Sequence, residues 1–160
     1  MRIARLVTLG LLFVTLISSP AAADATAFIG STTNPSSRLA KGAAIGAGLL
    51  IIGFEFEYAQ TSEDEIEAAP SLTTGMGNVL LQTPFPIAGM QFYATTGAGA
   101  YRETLGTRQE THVGVNTGGG VKVSLLGPLR VRVDYRVFKL QGDPLHSIVH
   151  RIYGGVNLKF

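Results

Sequence analysis

The strongest constraint on this chain is a period-two alternation of apolar and polar residues, sustained in segments of about ten residues and broken by turn-forming stretches. In Leu129-Arg130-Val131-Arg132-Val133-Asp134-Tyr135-Arg136-Val137, one face carries Leu, Val, Val, Tyr and Val, and the other carries Arg, Arg, Asp and Arg. Successive strand side chains point to opposite faces, so one face of this segment meets an apolar medium and the other needs charge partners. Phe54-Glu55-Phe56-Glu57-Tyr58 repeats the pattern with aromatic residues against two carboxylates. In a third segment Val113, Val115, Val121 and Val123 oppose Gly114, Asn116, Gly118, Gly120, Lys122 and Ser124. A helical alternative fails: the longest nearly apolar stretch after the N-terminal region, Gly42 to Phe54, is too short to cross a bilayer as a helix and too rich in glycine to be a stable soluble one.

Weaker segments complete a set of eight expected strands, at approximately 25–32, 41–50, 52–62, 72–82, 89–101, 111–125, 129–140 and 147–160. An even number lets a closed antiparallel barrel keep both termini at one end. The connections support this reading independently. Those around Leu50-Ile51, Thr83-Pro84-Phe85-Pro86-Ile87 and Gly127-Pro128 are short and uncharged. Those at Thr33–Ala40, Ser62–Ser71, Arg102–Glu110 and Gln141–His146 are longer, polar and charged. The two kinds alternate along the chain, so short turns gather at one end and polar loops at the other. The expected fold is an all-β, eight-stranded, antiparallel up-and-down barrel of the transmembrane type.

Residues 1–23 read as a secretory signal peptide: Arg2 and Arg5, an apolar run from Leu6 to Ile17, then Ser18-Ser19-Pro20-Ala21-Ala22-Ala23. The apolar run would span only about 18 Å as a helix, short of the roughly 30 Å hydrocarbon core. Cleavage is expected before Asp24, leaving 24–160 as the barrel domain and a mature chain whose basic and acidic residues balance. A basic footprint for nucleic acid is absent, and the chain has no cysteine for a lipid anchor or a disulfide.

At this point the sequence resembles the small eight-stranded outer-membrane β-barrel proteins of Gram-negative bacteria, over essentially all of 24–160. The most specific part is the end, Gly155-Val156-Asn157-Leu158-Lys159-Phe160, which matches that family's terminal pattern of Gly, two residues, an apolar residue, one residue and a final aromatic. The resemblance implies the barrel-assembly machinery as a partner, reading Gly155, Leu158 and Phe160, with outer-membrane lipids and lipopolysaccharide as surroundings and a monomeric state. The Gly-rich strands Phe92–Ala100 and Gly114–Gly120 also look like the family's middle strands. Two departures stand out. There is no tryptophan, so an aromatic girdle depends on Phe54, Phe56, Tyr58, Phe92, Tyr135 and Phe160, and the loops are too short for large adhesive projections.

The chief chemical candidate is an interior charge set, with Glu55, Glu57 and Asp134 facing Lys122, Arg130, Arg132, Arg136, Arg151 and Lys159. Glu55 and Glu57 stand roughly 7 Å apart on one strand face and require cations between them. Either an ion path or a plug of ion pairs fits this set, and the plug is expected, because an eight-stranded lumen is just wide enough for side chains to fill. His112, His146 and His150 lie toward the loop end of their strands, and Ser147 follows His146 but points to the opposite face. The acidic run Glu63-Asp64-Glu65-Ile66-Glu67 falls in an external loop. Gly114–Gly120 lacks the Lys-Ser/Thr of a phosphate loop and is expected to relieve crowding. No catalytic, cofactor or metal residues are assigned, and the expected role is structural or surface-exposed. Two other classes stay open: a lipid-modifying enzyme on the same barrel, and a soluble lipocalin-like barrel with its charged faces outward. A small channel is a third. Alternation defines two faces without saying which one is inside.

Overall fold

A computed structural model describes residues 22–160 as a closed barrel of eight antiparallel strands, each paired with its neighbours in chain order and β1 closing onto β8. The strands are β1 (Ala22–Thr33), β2 (Arg38–Leu49), β3 (Ile52–Thr61), β4 (Ser71–Gln82), β5 (Met90–Leu105), β6 (Arg108–Leu126), β7 (Leu129–Leu140) and β8 (Ile148–Lys159). The expected leader falls mostly on residues 1–21, outside those described, while Ala22 and Ala23 open β1 opposite Gly48 and Ala47. Closure satisfies the backbone, because every strand finds a ladder on both sides and no edge is left.

The alternation resolves into a charged inside and an apolar outside. Glu55, Glu57, Asp134, Arg132, Arg136 and Arg151 are buried in the lumen. Between and beside them the outer face presents Phe54 at 61% exposure, Phe56, Tyr58, Val133, Tyr135 and Ile152. All six residues expected to form an aromatic girdle point outward, Phe92 and Phe160 included. A lipocalin-like arrangement, with an apolar interior and charged exterior, is the reverse of this distribution.

Two sequence expectations need correction. Arg102–Glu110 is not a loop: β5 and β6 keep pairing through Glu103↔Glu110 to Leu105↔Arg108 and turn at Gly106-Thr107. Alternation continues through that stretch, so its charged residues belong to a hairpin projecting past the rim, and Gly106 takes the positive φ of 58° that a two-residue turn demands. Conversely, the connection at 83–89 is longer than expected, held by Ile87 and Met90 exchanging backbone hydrogen bonds at 2.8 and 3.0 Å. Lys159, assigned inward, borders the lumen cavity at the end of β8 and stays exposed there.

The glycine-rich strands follow from crowding. A Cβ on Gly99 would sit 2.0 Å from the Gly75 carbonyl oxygen, and one on Gly118 2.1 Å from that of Tyr135. Neither backbone can yield without opening a ladder. Gly154, on the outer face, has nothing within 4 Å. Gly99→Ala is therefore expected to lower the denaturant midpoint of the folded barrel, or to prevent folding. Gly154→Ala is expected to leave it unchanged or slightly raised; parallel unfolding curves of the two variants check this.

Candidate functional site: the charged lumen and the outer rim

The lumen is filled in three tiers. Nearest the short turns, Asp24 pairs with Lys122 and, at 3.1 Å, with Arg130, whose Nε donates to Asn157 Oδ1 at 2.7 Å. A cavity of about 50 Å³ lies in this tier, bordered by Asp24, Gln91, Lys122 and Arg130. In the middle tier Arg132 bridges Glu55 and Asp134, the latter at 2.9 Å. Arg136 reaches Glu55 at 2.8 Å, Asp134 at 3.0 Å and Glu57 at 3.2 Å. Arg151 closes the cluster on Glu57 at 3.1 Å and lies over the Phe138 ring. The Tyr93 hydroxyl donates to Asp134 and accepts from Arg132 Nε at 2.7 Å. Toward the loops, Leu72, Met76, Tyr101, Phe138, Leu140 and Val149 form an apolar plug.

Of the nine interior charges named from the sequence, eight are joined by ion pairs here, and Lys159 borders the same cavity without one among the described residues. Asp24 takes part although it was assigned only as the first mature residue. It stands in phase with Thr26 and Phe28 on β1, which is the signal that could have found it. Tyr93 and Tyr153 complete the network, Tyr153 donating to Glu57 Oε2 at 3.2 Å. The resulting balance is five cations, Lys122, Arg130, Arg132, Arg136 and Arg151, against four anions, Asp24, Glu55, Glu57 and Asp134. Buried charges at this density are tolerated only when each has an opposite partner and hydrogen bonds.

The rim holds a second polar set that sequence reasoning missed. Arg38 donates to the Pro70 carbonyl, and Glu103 accepts from the Leu145 amide at 3.2 Å. The Tyr101 hydroxyl donates to the Gln141 carbonyl at 2.6 Å. These bonds pin the loops over the mouth. Glu103 stands above the apolar belt, which ends at Ala100 and Val113. Burial pushes its carboxyl above the usual range, against the lowering effect of the Leu145 amide.

The histidines do not converge with a nucleophile. His150 faces outward with Nδ1 2.7 Å from the Tyr135 hydroxyl, and His112 lies 3.5 Å from Glu110 on the projecting hairpin. The buried Nδ1 of His146 has no partner, and the exposed Ser147 uses its carbonyl to accept from the Leu140 amide at 2.8 Å. In the acidic loop Asp64 Oδ1 accepts from the amides of Ile66 and Glu67, and Glu63 Oε1 from that of Gly106 at 2.8 Å. Among the described residues no three His, Cys, Asp or Glu side chains group as metal ligands. At the terminus, Leu158 and Phe160 point outward, and Gly155 is packed so closely that a Cβ would sit 2.5 Å from the Ala27 carbonyl.

Solved structures match this architecture along almost its whole length. Neisserial surface protein A aligns at a TM-score of 0.70 and 14% identity, covering 89% of this chain and 98% of its own. The N-terminal β-barrel domain of Pseudomonas aeruginosa OprF aligns at 0.64 and 14%, covering 87% and 97%. This chain has the fold of the small eight-stranded outer-membrane barrels. The outer membrane enzyme PagL shares it too, at 0.55 and 12%, covering 84% and 98%. No protein-family model and no curated protein sequence matches the chain. At such low identities the small-barrel likeness concerns architecture alone.

Arg151→Met is expected to strand Glu57 with one fewer cation and to destabilise the barrel by about 3 kcal/mol. Adding Glu57→Gln should cost less than the two single changes summed, because the pair is coupled. Denaturant midpoints of the two single variants and the double variant check both statements.

Proposed function

We propose that this protein is an integral barrel of the bacterial outer membrane with a structural or surface-exposed role, non-catalytic and with a plugged lumen. One observation carries the reading: the charged strand faces are buried while large apolar side chains ring the exterior, a distribution suited to lipid. In water that exterior would be a continuous apolar surface far larger than soluble monomers tolerate. In this reading the leader is removed before Asp24 after export, and the assembly machinery reads the outward Leu158 and Phe160 with Gly155. The polar loops then face the cell exterior, by analogy with Neisserial surface protein A, a surface protein of the same fold. Three tiers of packed side chains argue against conduction.

A second reading, a lipid-modifying enzyme, draws support from the shared fold of PagL. It requires His146 or His150 to meet a nucleophile and an acid, contacts that the rim side chains do not make. Under the non-catalytic reading, changing His146, Ser147 and His150 together to alanine leaves membrane lipid composition unaltered.

The main reading is tested by refolding the chain without residues 1–23, with and without detergent micelles, and comparing boiled and unboiled migration on an SDS gel. A heat-dependent shift that appears only with detergent is expected. Cooperative folding to a monodisperse species in plain buffer would overturn it.

A further inference from the structure

The charges of the lumen do not balance tier by tier. The middle tier sets Arg132, Arg136 and Arg151 against Glu55, Glu57 and Asp134, one cation for each anion. The tier nearest the short turns sets Lys122, Arg130 and Lys159 around a single further carboxylate, Asp24. Lys122 and Arg130 are buried and both take the same Oδ2 of Asp24. Lys159 is exposed at the cavity and makes no ion pair among the described residues, with the terminal carboxylate of Phe160 or with any other. Glu55 also borders the cavity, but Arg132 and Arg136 already hold it. The positive excess of the interior is therefore gathered around one cavity, where burial makes uncompensated charge costly and an anion relieves it.

The same cations have donors to spare. Of the three N–H groups of Lys122 one is given to Asp24. Of the five of Arg130 three are placed, on Asn157 Oδ1 at 2.7 Å, Gln91 Oε1 at 3.2 Å and Asp24 Oδ2 at 3.1 Å. Space comes from the other side of the barrel. Gly46 and Gly48 on β2 and Gly53 on β3 occupy inward positions, and Gly48 pairs directly with Gly53, so this side of the cavity is bare where β6, β7 and β8 bring in the cations. The cavity of about 50 Å³ has room for about four waters, or for one four-oxygen ion in their place. The middle tier closes the lumen toward the loops, so an ion enters and leaves by the short-turn end.

We propose that the short-turn end of the lumen is a binding site for one small tetrahedral oxyanion, of the phosphate or sulfate class, held by Lys122, Arg130 and Lys159. Four oxygens around one centre can accept from donors converging from three strands at once, which a halide or a planar carboxylate does less well. The site follows from the barrel and its charges; only the compartment it samples, the periplasm, rests on the outer-membrane reading above.

The test uses the chain without residues 1–23, refolded in neutral detergent at low salt and free of phosphate and sulfate, with the heat-dependent gel shift marking the folded barrel. Inorganic phosphate is titrated and followed by phosphorus NMR line width, with chloride and glycerol 3-phosphate as comparison probes. Saturable binding of one phosphate per barrel is expected. Lys122→Gln should weaken it by about tenfold or more, and the exposed Lys159→Gln by about threefold or more. Gly53→Val, whose Cβ would meet Leu80 Cβ at an ordinary 3.5 Å, should abolish binding by filling the cavity with every charge kept. Lys41→Gln, the same charge change on the outer face, should have no effect, and glycerol 3-phosphate, too large for the cavity, should bind more weakly than phosphate. Absence of saturable binding, lysine variants at 122 and 159 that bind like the parent, an equal loss in Lys41→Gln, or displacement by chloride at matching concentration would overturn the site. Glycerol 3-phosphate binding as tightly as phosphate would overturn it too, since an enclosed site for a single free ion excludes the ester.

Discussion

The structure depends on the ion cluster that Arg132 and Arg136 make with Glu55, Glu57 and Asp134. A barrel whose outer surface is apolar has nowhere else to place the polar half of its alternating strands. Each inward charge loses water, and a partner across the lumen or two residues along the same strand has to compensate the loss. The partners come from β3 and β7, on opposite walls, so the cluster works as a brace as well as a plug. Tyr93 from β5 and Tyr153 from β8 add donors that tie the remaining walls to the same anions.

Around this brace the rest of the barrel is arranged by simple constraints. Backbone groups are satisfied by closure of β1 onto β8, since no strand edge is left to find another partner. Beside the Arg136 and Tyr93 side chains the chain supplies Gly118 and Gly120, and where β5 lies against the backbone of Gly75 and Met76 it supplies Gly99, which lets neighbouring strands approach. Two hydroxyls on the outer face pair with backbone: Thr96 and Thr117 donate to the carbonyls of Asn116 and Thr95 at 3.1 and 3.3 Å. The loop end is closed separately, by apolar side chains beneath and by Arg38, Tyr101 and Glu103 pinning the loops above.

Much of this was legible in the sequence because period-two patterning is local. Strand number, order and phase follow from residues within each segment, and the boundaries found lie within three residues of those expected at every strand end except that of β5, which together with the start of β6 runs on into the projecting hairpin. Those two run on because a strand that has left the belt stays paired while its outward residues turn polar, as Arg102 and Thr111 do, and polarity alone looks like a loop. The choice of inside and outside was not legible, since alternation is symmetric between faces. Contacts such as Arg132 with Glu55, joined across 77 positions of sequence, depend on closure. Asp24 was left unassigned, and the exposure of Lys159 was not foreseen, for a related reason: at a strand end, how far a residue is enclosed by the lumen depends on how far the opposite wall extends.

The claim that charges face in and apolar residues face lipid is tested most directly by spin-label accessibility on β4 in lipid vesicles. The chain has no cysteine, so single cysteines placed at 77 to 81 report without background. The account predicts that labels at 77, 79 and 81 are relaxed by oxygen dissolved in the bilayer, and that labels at 78 and 80 are shielded from oxygen and from a water-soluble nickel complex alike. Oxygen access at 78 and 80, or access of the nickel complex at all five positions, would contradict it.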